Sequence, residues 1–274
     1  MSTKKMNKNN EKIIEFDEGW KFIQTGIAKL KNILNGHQDE KFSSEEYITL
    51  YTIIYKMSWQ QPPYDYTLQL SIKYEETFID YIKSTVIPSL RGKKNDETFL
   101  RELVKRWKNH KIMTKTLSGF FMHLNFKRER NHPHITIEEV AQSCFRDLVY
   151  LEFKHKARDI VIRLIDQDRD GGEIDGDLVK NVVDMFVEMG MNYYVNDFEK
   201  GFLDSTCDYY SRKASKKWAL GDYNVLNVEE CLKKEKDRVC CYLHSSSEIK
   251  LLVKVEEELL LLSRMYKFPI SQEC

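Results

Sequence analysis

Glycine and proline are scarce in this chain of 274 residues, at 11 and 5. Few turns are therefore encoded. Strand signals are nearly absent too, because no sustained alternation of apolar and polar residues runs anywhere. There is no surplus of one charge: 43 Lys+Arg balance 43 Asp+Glu. A broad nucleic-acid binder needs a basic excess, so no nucleic-acid partner is expected. No apolar run approaches the roughly 18 residues that span a bilayer, and no membrane partner is expected. Residues 1–12 are polar and lysine-rich, without an apolar signal core, and are expected to form a flexible tail. The six cysteines contain no C-x-x-C pair, so no disulfide framework is implied, and reduced thiols in the cytoplasm and nucleus are the simplest reading. Their spacing with the seven histidines does not suit zinc. They are expected to be small core residues, with one of Cys240 and Cys241 facing inward. No Gly-rich phosphate loop, G-x-S-x-G or H-E-x-x-H occurs. No catalytic residue, metal or cofactor is therefore expected.

What is present is helical periodicity with 12% aromatics, enough to fold. Ile23, Ile27, Leu30 and Leu34 mark a first helix that Gly36 stops. Ser43 with Glu46 forms a capping-box pattern for a second, which Pro62-Pro63 ends. A third is expected over 67–86 and broken at Pro88, a fourth from Asp96 as cap through Trp107, and a fifth over 111–127. Asn131–Ile135 reads as a linker. The pattern then restarts: Thr136 can cap a helix, a second carries Ile160 to Ile165, and others follow to Leu262, with loops at 166–177 and 221–227. Ser245 with Glu248 gives a capping box for the last helix. The fold class is all-α. The two helical sets, 13–131 and 135–262, suggest an elongated, solenoid-like stack of two similar units.

Two features could carry function. Asp166-Gln167-Asp168-Arg169-Asp170-Gly171 matches the first half of a calcium-binding EF-hand loop. Against it, Glu173 stands where an apolar residue anchors such loops, and Asp177 where Glu gives bidentate ligation. A charged turn is the alternative. The second feature is the second helix, where Tyr47, Leu50, Tyr51 and Ile54 form one stripe while Ile48, Ile53 and Tyr55 lie off it. The fifth is equally rich, with Leu117, Phe120, Phe121, Met122 and Leu124. A helix apolar on more than one face must bury more than one, against either the core or a partner.

Several stretches resemble one family. They include Leu50-Tyr51-Thr52-Ile53-Ile54-Tyr55, Leu100-Arg101-Glu102-Leu103 with Lys105-Arg106-Trp107, and Cys144-Phe145-Arg146-Asp147-Leu148-Val149-Tyr150. Tyr209-Tyr210-Ser211-Arg212-Lys213-Ala214-Ser215 and Tyr242-Leu243-His244-Ser245-Ser246-Ser247-Glu248 extend the match. Colinear along nearly the whole chain, they resemble the N-terminal region of cullins, most closely the plant SCF-type (cullin-1) class.

The resemblance implies cullin repeats of about five helices each, repeat 1 over 13–131 and repeat 2 over 135–262. It implies a non-catalytic scaffold of a ubiquitin ligase in ubiquitin-dependent protein catabolism. It also turns the acidic stretch into an inter-helix turn, through Gly172-Glu173-Ile174-Asp175. The family docks a Skp1-type adaptor, and through it F-box proteins, on helices two and five. Carried over, this points to Tyr47, Leu50, Tyr51, Ile54, Ser118, Phe121, Met122 and Asn125.

Two departures stand out. Phe126-Lys127-Arg128-Glu129 replaces a basic and aromatic–aliphatic group, which should weaken docking. Residues 263–274 join a segment like one from a third repeat and are expected to fray. The RING-binding and modifier-accepting region is not represented, so no RING subunit is expected and the chain would compete with full-length cullin. The alternatives are a decayed, non-functional cullin paralogue and a calcium-binding helical module.

Overall fold

The computed structural model of the protein describes residues 13–36, 41–125, 135–219 and 227–267, with backbone alone for 217–219 and 262–267. The expectations for the tail at 1–12, the departure at Phe126–Glu129, the linker at 131–134 and the loop at 221–226 lie outside the described residues. Every regular element among the described residues is helical.

Helix α1 (Phe16–Leu34) buries Ile23, Ile27, Leu30 and Leu34 on one stripe and stops at Gly36, whose φ of 105° favours glycine. Helix α2 (Ser44–Trp59) starts from the expected capping box. The Glu46 N–H donates to Ser43 Oγ at 3.1 Å, and the Ser43 N–H donates to Glu46 Oε2 at 2.7 Å. Helix α3 (Thr67–Tyr81) does not end before Pro88. It passes through one π-turn, Ile82–Val86, into α4 (Ile87–Arg91). Pro88 lies in the first turn of α4, directly after the π-turn.

Helix α5 (Asp96–Phe121) is one element where two were expected, because no Gly or Pro interrupts the stretch between Trp107 and Lys111. Its cap is Asn95, whose Oδ1 accepts from the Thr98 N–H at 3.0 Å, and not Asp96, which pairs with Arg163 at 2.5 Å. Helix α6 (Ile137–Phe145) opens with a full capping box between Thr136 and Glu139. A π-turn, Arg146–Tyr150, joins it to α7 (Leu151–Arg169), so the break expected there is absent. Helix α8 (Gly176–Met189) follows. A short turn, Met191–Tyr193, and a π-turn, Tyr194–Glu199, lead into α9 (Lys200–Ala219). Helix α10 (Val228–Tyr242) precedes a 3-10 turn, Ser245–Ser247, and α11 (Glu248–Lys267). The last cap is His244, whose Nδ1 accepts from the Ser246 N–H, in place of a Ser245–Glu248 box. Helix α11 continues to Lys267, past the expected end at 262, and 268–274 lie outside the described residues.

The chain forms two compact units. Of the described residues, those up to Lys93 with those of Lys105–Glu152 make the first; Lys94–Val104 with the described residues from Phe153 on make the second. This division differs from a cut at 131–135. Helix α6 packs on α3, and its Phe145 ring lies 5.0 Å from Trp107 and 4.9 Å from His110. The first turns of α5 belong to the second unit, where Phe99 lies 5.8 Å from Phe153 and Arg101 pairs with Asp175 at 2.7 Å. In the first unit Tyr74 makes edge contacts with Phe78 and Phe121, at 5.1 and 5.3 Å. In the second, Phe198 joins Phe186 and Phe202, at 5.4 and 5.9 Å.

The cysteines depart from expectation. Of the described ones only Cys144 is buried, and both Cys240 and Cys241 are exposed. Helix α10 spends its inward stripe on Glu235, Val239 and Tyr242, which leaves both cysteines outside.

Candidate functional site

Helix α2 of the first unit has two faces with different tasks. Its inner face is Leu50, Ile54 and Met57, all buried. Leu50 presses so closely on α1 that a Cβ at Gly26 would lie 2.6 Å from its Cδ1. Tyr47 lies across α5, with its ring 4.7 Å from Phe120. A Cβ at Gly119 would meet the Tyr47 hydroxyl at 1.8 Å, so only glycine permits this approach.

The outer face is apolar as well. Ile48 is 61% exposed, Tyr55 40% and Trp59 44%. Chain that has just left α5 adds Met122, 42% exposed, and His123. The His123 ring lies 4.8 Å from Tyr51 and 4.6 Å from Tyr55, and the Tyr55 ring lies 6.0 Å from Trp59. The Tyr51 hydroxyl hydrogen-bonds His123 Nε2. Burial lowers the His123 pKa from its ordinary 6.5, favouring a neutral ring in this stack. The product is an aromatic surface with little charge, suited to a desolvated contact with another macromolecule.

The structure separates the eight residues singled out from the sequence. Leu50, Ile54, Ser118 and Phe121 are core residues and do not reach the surface; Ser118 hydrogen-bonds the Tyr74 hydroxyl at 3.0 Å. Tyr47 is half-buried against Phe120. Asn125 holds the start of α6: its Oδ1 accepts from the Ile137 N–H at 2.9 Å and its Nδ2 donates to Glu138 at 3.2 Å. Only Tyr51 and Met122 contribute to the outer surface. The stripe chosen from the sequence is mainly the stripe that faces the core, and the outer stripe lies about one residue round the helix. Ile48 and Tyr55 carried a sequence signal, being apolar residues off the main stripe. His123 carried none, because its position depends on the chain turning at Met122.

Asn125→Ala should cost about 1–2 kcal/mol, since the Ile137 N–H loses its acceptor at a helix start. Urea unfolding monitored by circular dichroism would measure it; an unchanged midpoint would show that Thr136 alone suffices as cap.

The acidic stretch is no metal loop. Asp166 and Asp168 lie inside α7. Asp166 accepts from Arg169 at 2.9 Å, Asp168 from Arg238 at 2.6 Å and Tyr242 at 3.0 Å, and Asp170 from Tyr209 at 2.8 Å. Asp175 caps α8 through the Leu178 N–H at 2.9 Å. These carboxylates are held by the protein's own donors, which corrects the calcium reading. Among the described residues no group of three His, Cys, Asp or Glu is placed to hold a metal ion, and no helix is long and apolar enough to cross a membrane.

Residues 20–267 match the family described as "Cullin alpha solenoid domain". The chain is 55% identical over 262 residues to cullin-1 of Oryza sativa subsp. japonica, covering 93% of this chain and 35% of that protein. It is 42% identical over 252 residues to cullin-2 of Arabidopsis thaliana, covering 89% of this chain and 34% of that protein. It is 38% identical over 247 residues to cullin-like protein 3 of Arabidopsis thaliana, covering 87% of this chain and 93% of that protein. The chain thus spans about a third of the length of the first two relatives.

Proposed function

This chain belongs to the cullin family, and from that premise we propose that it is a non-catalytic scaffold component of an SCF-type ubiquitin ligase whose first unit docks a Skp1-type adaptor carrying an F-box receptor. The observation that carries this reading is the outer face of α2. Tyr55 and Trp59 stand 40% and 44% exposed, stacked with His123 and flanked by Ile48 and Met122. A lone unit gains nothing by holding these rings against water, whereas a partner that covers them removes a large apolar area. The 55% identity to a cullin-1 supports the Skp1-type class of adaptor.

The residues assigned to the contact are Ile48, Tyr51, Tyr55, Trp59, Met122 and His123. Leu50, Ile54, Ser118 and Phe121 act beneath them, by holding α2 and α5 in place. Adaptor bound to this surface would be withheld from a longer cullin, so the 274-residue chain acts as a competitor in a mixture of the two.

Titration calorimetry of the 274-residue chain with a Skp1-type adaptor tests the reading. Micromolar binding is expected. Tyr55→Ala and Trp59→Ala should each weaken it by about 2 kcal/mol, roughly 30-fold, with the fold unchanged. Leu50→Ala should instead act through stability, at about 2–5 kcal/mol. No heat with the unmodified chain, or binding indifferent to both aromatic substitutions, would sink the assignment.

A further inference from the structure

The solvent face of α5 carries cations without anions. From Leu103 to Arg128 the sequence holds no Asp or Glu, although acids and bases balance over the whole chain. In the first unit this stretch of α5 leaves Lys105, Lys108, Lys111 and Lys115 exposed, with Ile112 50% exposed among them. At 3.6 residues per turn these five fall within an arc of roughly 120° and along about 15 Å of helix. His110, Met113 and Leu117 lie on the opposite side and are buried. Lys105, Lys108 and Lys115 have no ion pair or hydrogen bond among the described residues. Lys111 Nζ lies 5.5 Å from the centre of the Trp107 ring. Gly119 continues the same side of α5, and Tyr47 of α2 closes the stripe there by lying across it. Glu46, beside Tyr47 on α2, is taken by Lys29 at 2.7 Å.

Like charges three or four residues apart on a helix repel, and Lys105–Lys108, Lys108–Lys111 and Lys111–Lys115 do so in succession. Elsewhere the chain uses such spacings for opposite charges: Lys73 pairs with Glu76, Arg101 with Glu97 and Lys234 with Glu230. Repulsion that the fold leaves in place is relieved by an external anion. We propose that the stripe docks an acidic segment of a protein partner, with carboxylates over the lysines and one apolar side chain against Ile112. Ile112 decides between the kinds of anion. A phosphate backbone gains nothing from an isoleucine in the middle of its track, and the stripe lacks the exposed aromatic rings on which single-stranded bases stack. An anionic membrane surface takes a helix with a broad apolar face, and one isoleucine does not make one. For a protein segment the apolar stems of the lysines widen the contact around Ile112, while their charged ends reach the carboxylates.

Fluorescence anisotropy of the full chain with a labelled glutamate peptide carrying one central leucine tests this. Binding with a Kd on the order of 10–100 μM at about 0.15 M salt is expected. Lys108→Glu together with Lys115→Glu should weaken it at least about tenfold. Ile112→Ser should weaken the leucine peptide roughly fivefold and leave an all-glutamate peptide unchanged. Lys108→Glu alone should also raise the urea midpoint, because a carboxylate there turns two repelling contacts into attractive ones. A surface that binds less and folds better after one substitution is a surface kept for its partner. These positions are exposed, and circular dichroism checks that each variant folds. No binding of the leucine peptide, binding that survives the double substitution, an equal effect of Ile112→Ser on both peptides, or a lowered urea midpoint would overturn the proposal. Tighter binding of polyuridylate or of phosphatidylserine vesicles than of the leucine peptide would overturn it in favour of a phosphate track or a membrane.

Discussion

Glu235→Ala is expected to destabilise the second unit by about 3–5 kcal/mol. Glu235 and Arg169 have side chains 0% and 1% exposed. The guanidinium donates through Nε to Oε1 and through Nη2 to Oε2, both at 3.0 Å, in the two-pronged geometry that arginine offers a carboxylate. The same carboxylate accepts from Tyr210 at 2.7 Å and from Arg238 at 3.0 Å. Arg169 also donates to Asp166 and Thr206, each at 2.9 Å, and lies near the faces of Phe202, Tyr209 and Tyr210. Burial pushes the Glu235 carboxyl up, but the charge and hydrogen bonds of Arg169, with Arg238 and Tyr210, outweigh it, and the pKa falls below its ordinary 4.5. Removing the carboxylate strands a buried guanidinium and a tyrosine hydroxyl, and that stranding sets the size of the effect.

The double change Arg169→Met with Glu235→Leu should recover part of the loss, because the most deeply buried charges are removed together, although Asp166, Thr206, Tyr210 and Arg238 each lose one partner. The carboxyl is depressed in the folded state, so its contribution is complete above pH 4.5 and is lost as pH falls through the lower folded value. Urea unfolding at pH 7 of both single variants and the double gives the coupling directly. A loss below about 1 kcal/mol for Glu235→Ala would mean that water reaches the pair.

Acid should weaken the first unit through one histidine. His110 on α5 is 2% exposed, among the rings of Phe78, Trp107 and Phe145. Its Nε2 lies 2.9 Å from the Ala141 carbonyl, which can only accept, so the proton sits on Nε2. Nδ1 has no protein partner. A second proton would have to go there, and burial pushes the pKa from 6.5 down to about 4. The unfolded chain takes up that proton below pH 6.5 and the folded chain does not. Stability is therefore complete above pH 6.5, falls by about 1.4 kcal/mol per pH unit as pH drops, and levels off near pH 4 after losing about 3 kcal/mol. The carboxylates that lose partners in acid add to this at lower pH, so the clean window lies between about pH 6.5 and 5. Unfolding free energies of the protein and of a His110→Gln variant, measured across that window, should diverge in slope. Parallel slopes would show that the folded ring takes its proton as readily as the unfolded one.

Helix α2 shows which parts of the fold are legible along the chain and which depend on packing. Its start was legible because a capping box is local: Ser43 and Glu46 satisfy each other within one turn. Its apolar content was legible too. Which apolar stripe faces inward was not, since Leu50 and Ile54 on one stripe and Ile48 and Tyr55 on the other differ little in chemistry. The tie is broken by Gly26 and Gly119, which let Leu50 and Tyr47 sink between α1 and α5. The acidic run failed for a related reason. Asp166, Asp168 and Asp170 read as cation ligands until Arg169, Arg238 and Tyr209 are brought to them.

Helical periodicity, caps and the shortage of turns determine by themselves that this chain is all-α, and colinear residue matches determine its family, because both kinds of information are written along the chain. The tertiary structure alone decided which face of α2 meets water and that the acidic run is spent on arginines. Each of those depends on residues far apart in sequence competing for the same buried space, and that competition is settled only when the helices pack.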